Sequence, residues 1–541
     1  MSLRPRRRPR LRALAAGLLA TLLGGCASQA PPAARADILI HGGLLFDGGP
    51  GPGRMADVAI AGDRILEVGP GLTGRYRATR TIDASGLVVA PGLIDPHTHP
   101  DTYLRSDDPA MRRLLPWLHQ GVSTIFIGID GSGTPDIASD RDGLQARGMG
   151  PNVAAYTGLG PVRTRVLGHA ARAPDAAELD RMRGLVAQAM CEGAFGLSAG
   201  LFYAPQSFAG IDEVVALARE AALRGGVYDT HQRDESSYSL GLMGSLEEVL
   251  EIGRRAQLPV HIAHIKALGA DVHGRAGEVI ARIERARSQG QRVTADQYPW
   301  LASSTGLGAA LLPHWAVDGG RPALLARLDD PATAARIRAQ MGENLQRRGG
   351  AGAILMTGRG WPWSARTLEQ FAGDTGLDPV DAALRIIRDS GGSGAAQRIA
   401  SFNMHEDDVT LFMRQPWVLT ASDGNDGHPR QYATFPEKYA RFVAGEGVID
   451  LAAFIHRSTG LTAQTFGLEG RGFLRPGYHA DVLVFDPQRY APRADYVRPQ
   501  VLSEGVVHLL VNGVALIDAG QAAHALPGRM LQHRPPPGTC P

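Results

Sequence analysis

The stretch "GLIDPHTHPD" places His97 and His99 two residues apart. On an extended strand, residues i and i+2 face the same side, so the two imidazoles share a face, in parity with Asp95 and Asp101. A His-x-His pair alone is a weak signal, because paired histidines are common in loops. Further candidates stand at the ends of other apolar runs. Asp130 ends "IFIGID", His231 follows "VYDT", His264 follows "VHIA", and Asp423 follows "VLTAS". Were these runs parallel strands with converging carboxyl ends, four histidines and two carboxylates would meet. Such nitrogen and oxygen donors suit zinc, one ion or two, and a zinc site activates water for hydrolysis. His261 faces away from His264 on the same strand and is left out. His119, His273, His405 and His508 read as ordinary structural or surface histidines.

Lysine is scarce: of 56 Lys+Arg residues, only Lys266 and Lys438 are lysines. Lys266 shares a face with His264 and so points into the same cavity, where an ammonium needs an anion opposite it. That anion is a substrate carboxylate, a carbamate formed on the lysine itself and bridging two metals, or a structural Asp or Glu. Lys438, in "FPEKYARFV", reads as a helix-surface residue. Further substrate-binding candidates are Tyr203, Arg233, Tyr298, Ser303 and Arg430, the last able to present a fork to a carboxylate. Each can equally be a structural arginine or a core residue.

The elements that must position these residues follow from periodicity. Amphipathic helical stretches such as "AELDRMRGLVAQAMCEG", "IDEVVALAREAALRGG", "LEEVLEIGRRAQ" and "AGEVIARIERARSQG" each precede a short apolar run. Four such units in succession imply a parallel sheet with outer helices. The α/β fold expected is a (β/α)8 barrel over residues 92–470, with an insertion near 305–380 over its mouth. Residues 37–91 and 471–527 are β-rich and turn-rich, which predicts a small β-sandwich built from both chain ends. Residues 528–541 form a tail.

The chain of 541 residues carries a net charge of +2, and six arginines without an acid in residues 1–25 account for more than all of it. The remainder is mildly acidic, which argues against nucleic-acid binding. Those first residues have the form of an export signal: "MSLRPRRRPRLR" is basic, "ALAAGLLATLL" is apolar but too short to span a bilayer, and "LGGC" ends at Cys26. Small residues before a cysteine resemble a bacterial lipobox, which implies lipidation of Cys26. Because Ala27 rather than Asp follows, the periplasmic face of the outer membrane is expected, with residues 27–36 as a tether. Only Cys191 and Cys540 remain, too few for a disulfide framework, and Cys191 reads as a buried small hydrophobe.

The order His-x-His, Asp, His, His, Asp, with its surroundings, resembles the amidohydrolase superfamily and within it the D-aminoacylase (N-acyl-D-amino-acid deacylase) branch. "APGLIDPHTHPD", "GAFGLSAGLFYAP", "YDTHQRDE", "HIAHIKALG", "ADQYPWLASS" and "SDGNDGHPRQYATFP" each resemble one of its blocks. The resemblance implies that His97 and His99 hold one metal position, that His231 and His264 hold the other, and that Asp423 is the catalytic carboxylate. It implies that Lys266 binds the carboxylate of an N-acyl-D-amino acid whose amide is hydrolysed. Two positions depart from the pattern. Asp130 stands where the family has cysteine, so the family's number and identity of metals do not carry over to this chain, and Pro161 stands where the family has histidine. A cyclic-amide hydrolase or isoaspartyl-type dipeptidase of the same superfamily is the alternative chemistry. A barrel that binds ligand without catalysis is the alternative class.

Overall fold

The computed structural model describes residues 34–541, so the leader with Cys26 and residues 27–33 lie outside the described residues. Eight stretches of strand carry the site. In chain order they are β1 (Leu93–Asp95), β2 (Val122–Ile127), β3 (Asn152–Ala155, resumed at Thr157–Gly158), β4 (Gly196–Gly200), β5 (Val227–His231), β6 (Val260–Ile262), β7 (Val293–Gln297) and β8 (Val418–Thr420). β1, β2 and β3 pair side by side, and β3 through β8 pair in sequence, every pairing being parallel. β2 and β5 are buried at every position, as strands covered on both faces must be. Beyond the strand ends β8 is tied back to β1. Thr98 bridges Gly424 in parallel, His99 N–H donates to the Gly424 carbonyl, and Asp423 N–H donates to the His97 carbonyl, both at 2.9 Å.

The four predicted helices lie between these strands, at Ala176–Cys191, Ile211–Leu223, Gly241–Ala256 and Ala276–Ser288. The first shows why. Asp175 and Glu178 form a reciprocal capping box, and Met182, Val186, Ala189 and Met190 are buried on one face at spacings of four, three and one. It ends before Gly193, whose φ of 110° turns the chain into β4 at a conformation a side chain resists.

The two β-rich chain ends meet in one hydrogen-bonded sheet. Ala34–Leu45 pairs with Arg54–Ala61, Tyr76–Asp83 and Val88–Pro91. Val88–Pro91 pairs in turn with Val482–Phe485, which continues through Val506–Val511 to Val514–Asp518. Ile40, Val58 and Ile82 from the first end pack with Val482, Val484 and Leu510 from the second. Of the residues expected as a tether, Ala34, Arg35 and Ala36 instead pair with Tyr76, Arg77 and Ala78 in this sheet, and Ala36 is buried.

Between β7 and β8 the chain builds an inserted unit. Its three antiparallel strands are Ala302–Gly306, Arg398–Phe402 and Ile354–Met356, and its core includes Leu311, Met341, Phe371 and Ile386.

Two cysteine and lysine readings are corrected. Cys191 is disulfide-bonded to Cys540, 349 residues away. The tail reaches it by running along the amino-terminal ends of the strands. Val153 N–H donates to the Arg529 carbonyl, Leu531 N–H to the Val153 carbonyl, and His533 N–H to the Gly193 carbonyl. Lys438 is fully buried, and its Nζ donates to Thr420 Oγ1 at 2.9 Å. The helix Arg430–Glu437 passes into a wider π-helix at Lys438–Gly445, which turns Lys438 inward.

The disulfide closes a long loop over a face remote from the histidines. Replacing Cys540 by serine is expected to cost about 2–5 kcal/mol. It should appear as a lower midpoint of thermal unfolding and as faster proteolysis within residues 528–541. An unchanged midpoint would show that the hydrogen bonds alone hold the tail.

Candidate active site

The carboxyl ends of β1, β2, β5, β6 and β8 deliver the candidate residues to one place. Asp130 Oδ1 lies 3.5 Å from His97 Nε2, 3.4 Å from His264 Nε2 and 3.7 Å from His231 Nδ1. Its other oxygen lies 3.6 Å from His99 Nε2. Asp423 Oδ1 is 3.1 Å from His99 Nε2 and 3.7 Å from His97 Nε2, and His231 Nδ1 faces His264 Nε2 at 2.9 Å. Two ligand clusters result: His97, His99, Asp130 and Asp423, and Asp130, His231 and His264. Asp130 belongs to both.

The residues fit a metal. Bonds of about 2.0–2.1 Å to a tetrahedral zinc put ligand atoms about 3.3 Å apart, which these separations bracket. His97 Nδ1 and Nε2 and Asp130 Oδ1 are buried without a hydrogen-bond partner. Buried polar atoms seldom remain unpaired unless an ion or water serves them. Lys266 belongs to neither cluster, and Asp130 already offers the carboxylate shared between them.

The backbone aims these groups. Asp130, His264 and Asp423 have φ of 52°, 34° and 48°, three of the eight non-glycine residues with positive φ among the described residues. Each lies just past its strand, where a left-handed residue turns the chain sharply at a cost in strain. Neighbouring carboxylates hold the frame. Asp95 accepts from Ser422 N–H at 3.0 Å and from Trp117 Nε1 at 3.1 Å. Asp296 accepts from His264 N–H at 2.7 Å and pairs with His261 Nε2 at 2.8 Å. Asp229 accepts from Ser198 Oγ at 2.7 Å, and Ser198 in turn accepts from Gly131 N–H, beside Asp130.

Electrostatics follow from this crowding. Burial opposes the charge on His97, yet Asp130, Asp423 and Asp296 override it and push its pKa up to about 10. Burial likewise opposes the carboxylate of Asp423, and Arg430 with the histidines holds it well below the usual range. Burial, with His264 and Lys266, depresses His231 to about 4, leaving it in the neutral form that a metal ligand needs. The cluster is a buried field that favours positive charge.

A cavity of about 370 Å³ opens onto these groups. Tyr203, Lys266, Tyr298 and Ser303 line it, as do His99, Asp130, His231, His264 and Asp423. The Tyr298 hydroxyl is buried without a partner. Lys266 Nζ donates to Glu235 Oε1 at 2.8 Å, so the anion facing the lysine is Glu235, a residue the sequence reading missed although it shares the "THQRDE" block. Arg233 is corrected from a substrate contact to a structural residue. It grips Glu248 at 2.8–3.1 Å, donates to the carbonyls of Ser207 and Ala209, and does not line the cavity. Arg430 stands behind the wall, its Nη1 2.8 Å from Asp423 Oδ2 and its guanidinium 5.0 Å from the Tyr298 ring. Pro161 lies in the helix Leu159–Leu167 and does not line the cavity. Two lining residues had no sequence signal: Arg348 and Arg398.

The model of the amidohydrolase family matches residues 80–517. The N-acyl-D-aspartate deacylase of Alcaligenes xylosoxydans xylosoxydans is 33% identical, over 92% of this chain and 95% of its own length. A solved D-aminoacylase, described with a binuclear metal centre, is 31% identical with a TM-score of 0.77, covering 92% of this chain and 100% of its own. The N-acyl-D-glutamate deacylase of Bordetella bronchiseptica, solved with zinc and a phosphonate inhibitor that mimics the tetrahedral intermediate, is 30% identical with a TM-score of 0.78 over the same shares. The convergent histidines and carboxylates, the parallel strands that carry them and this likeness agree: the chain belongs to the amidohydrolase family, in its D-aminoacylase group.

Proposed function

We infer that this enzyme hydrolyses the amide of N-acyl-D-amino acids, releasing a D-amino acid and a carboxylate. The observation that carries the reading is the ionised Asp423 at the edge of a two-cluster ligand set, on a cavity whose wall also presents Lys266 and the unpartnered Tyr298 hydroxyl. His97, His99, Asp130 and Asp423 would hold one zinc and Asp130, His231 and His264 a second. Zinc bound there lowers the pKa of water and polarises the amide carbonyl.

The chain's own groups supply the rest. Lys266 and Tyr298 hold the substrate carboxylate, which fixes the α-carbon and turns the amide toward Asp423. Arg430 orients Asp423 from behind, keeping it ionised and ready for a proton. Asp423 takes a proton from the attacking water as its oxygen bonds the acyl carbon. It then gives that proton to the amide nitrogen as the carbon–nitrogen bond breaks. His261, Asp296 and Ser198 act only through the groups they position.

The same reading extends to architecture and location. The eight strands, tied end to end at Thr98 and Gly424, form the closed barrel, and the sheet from both chain ends folds about Val58 and Val482 as a small sandwich. The leader supports export and lipid attachment at Cys26, on the periplasmic face of the outer membrane. The Cys191–Cys540 disulfide fits such an oxidising compartment.

Two measurements test this. With zinc supplied, N-acetyl-D-amino acids should release free amine and their L enantiomers should not. Asp423→Asn should lower kcat by about 10²–10⁴-fold. Release from neither enantiomer by zinc-loaded protein would defeat the reading. Metal analysis separates the ligand assignment from activity. Asp130→Ala should weaken both zinc positions by more than about tenfold, and His231→Ala only one. Full zinc retention in Asp130→Ala would remove Asp130 from the ligand set.

A further inference from the structure

Beyond the catalytic groups, the cavity wall holds more positive charge than the chain balances. Lys266 is answered by Glu235 at 2.8 Å, and Arg430, behind the wall, by Asp423 at 2.8 Å. Arg348 and Arg398 have no such answer. Arg348 is 3% exposed, and its Nε and Nη1 are buried without a hydrogen-bond partner. Its only marked neighbour is the Tyr238 ring, 5.8 Å from the guanidinium carbon. Arg398 makes no ion pair among the described residues. Burial and the Arg430 guanidinium press against its charge, with Asp426 and Asp423 acting only at longer range. A buried guanidinium without a counter-ion is costly, because desolvation is not repaid. Arg348, buried, and Arg398, half-buried, line one cavity of about 370 Å³ without a counter-ion, which points to anionic charge arriving with the ligand.

The positions of the two arginines narrow the ligand. Both come from the inserted unit: Arg348 caps the helix Pro331–Arg347, and Arg398 opens the strand Arg398–Phe402, opposite Gly306. Neither is carried by the eight parallel strands that hold the metal ligands and Asp423. The α-carboxylate of any N-acyl amino acid has Lys266 and the Tyr298 hydroxyl to receive it. A substrate with a neutral side chain would bring no second anion and would leave both guanidiniums without a counter-ion. Guanidinium forks match carboxylates in two-point contact.

We propose that Arg348 and Arg398 form a subsite for a carboxylate on the substrate side chain, which makes the preferred substrates N-acyl-D-aspartate or N-acyl-D-glutamate. This rests on the deacylase reading and specifies its substrate class. A site built to pair a charged group rejects an analogue lacking that group far more strongly than an apolar pocket rejects a change in size.

The test compares kcat/KM of the zinc-loaded enzyme on N-acetyl-D-aspartate, N-acetyl-D-glutamate, N-acetyl-D-leucine and N-succinyl-D-leucine. The expected result is a preference of at least about 100-fold for one of the two acidic amino acids over N-acetyl-D-leucine. Arg398→Met and Arg348→Met should each lower that ratio by at least about tenfold, with Arg348→Lys losing less than Arg348→Met. Should Arg348→Met fail to fold, Arg348→Lys and Arg398→Met still decide the question. Preference for N-acetyl-D-leucine, or an unchanged ratio in the variants, would overturn the subsite while leaving the deacylase reading intact. Preference for N-succinyl-D-leucine would overturn it too, by assigning the charge to the acyl side. No hydrolysis of any of the four would instead remove the deacylase reading on which the subsite rests.

Discussion

The structure depends on a concentration of buried negative charge at one end of the parallel strands. Asp95, Asp130, Asp229, Asp296 and Asp423 are nearly or wholly buried there, with Glu235 beside them. Carboxylates in that number cannot all ionise in a medium of low polarity unless cations or donors meet them. The site resolves the problem unevenly. Burial raises Asp95 to about 7 and Asp229 to about 6, and both serve as hydrogen-bonding anchors. Asp130 and Asp423 are held ionised by surrounding imidazoles and, for Asp423, by Arg430. The ionised pair faces the imidazoles of the two candidate ligand clusters, and Asp95 and Asp229 brace the frame around it.

That division needs a rigid frame, and the strands supply one. Each strand is short and buried on both faces, so the residue past its end cannot drift without breaking the packing beneath. The left-handed turns at Asp130, His264 and Asp423 concentrate the strain where the chemistry lies. The bonds between His97, His99 and the segment Asp423–Gly424 lock the first and last strands together, so the His-x-His pair and Asp423 are held as one body. The tail and its disulfide close the opposite end. Stability and chemistry thus occupy opposite ends of the same strands.

Much of this was legible in the sequence, though not always for the reason assumed. His97, His99, Asp130, His231, His264 and Asp423 were found because each follows an apolar run. The alternation argument for His97 and His99 holds only loosely, since β1 stops at Asp95 and backbone bonds to Asp423 and Gly424 set the two imidazoles in place. Arg233 takes the structural one of its two readings because Glu248, fifteen residues on, pairs with it, a contact that residue type alone does not reveal. The helix–strand rhythm found the four helices because their apolar faces are local patterns. Cys191–Cys540, Glu235 opposite Lys266, and Lys438 against Thr420 are contacts between segments distant in the fold, for which one sequence carries no periodic signal. Arg348 and Arg398 were hidden among 54 arginines, where residue type alone distinguishes nothing.

The two arginines also show how the molecule divides its labour. The candidate metal ligands and Asp423 sit at the ends of the parallel strands, where a shift in one residue would disturb the whole charge balance. Arg348 and Arg398 sit on an inserted unit with its own strands and its own core, so it can change without repacking the strands below. Its edge reaches the cavity through Ser303–Gly306 and Arg398 and carries none of the candidate metal ligands. On the proposed function, the groups at the strand ends carry the bond cleavage and the insertion carries the side-chain preference, so the two can be altered separately.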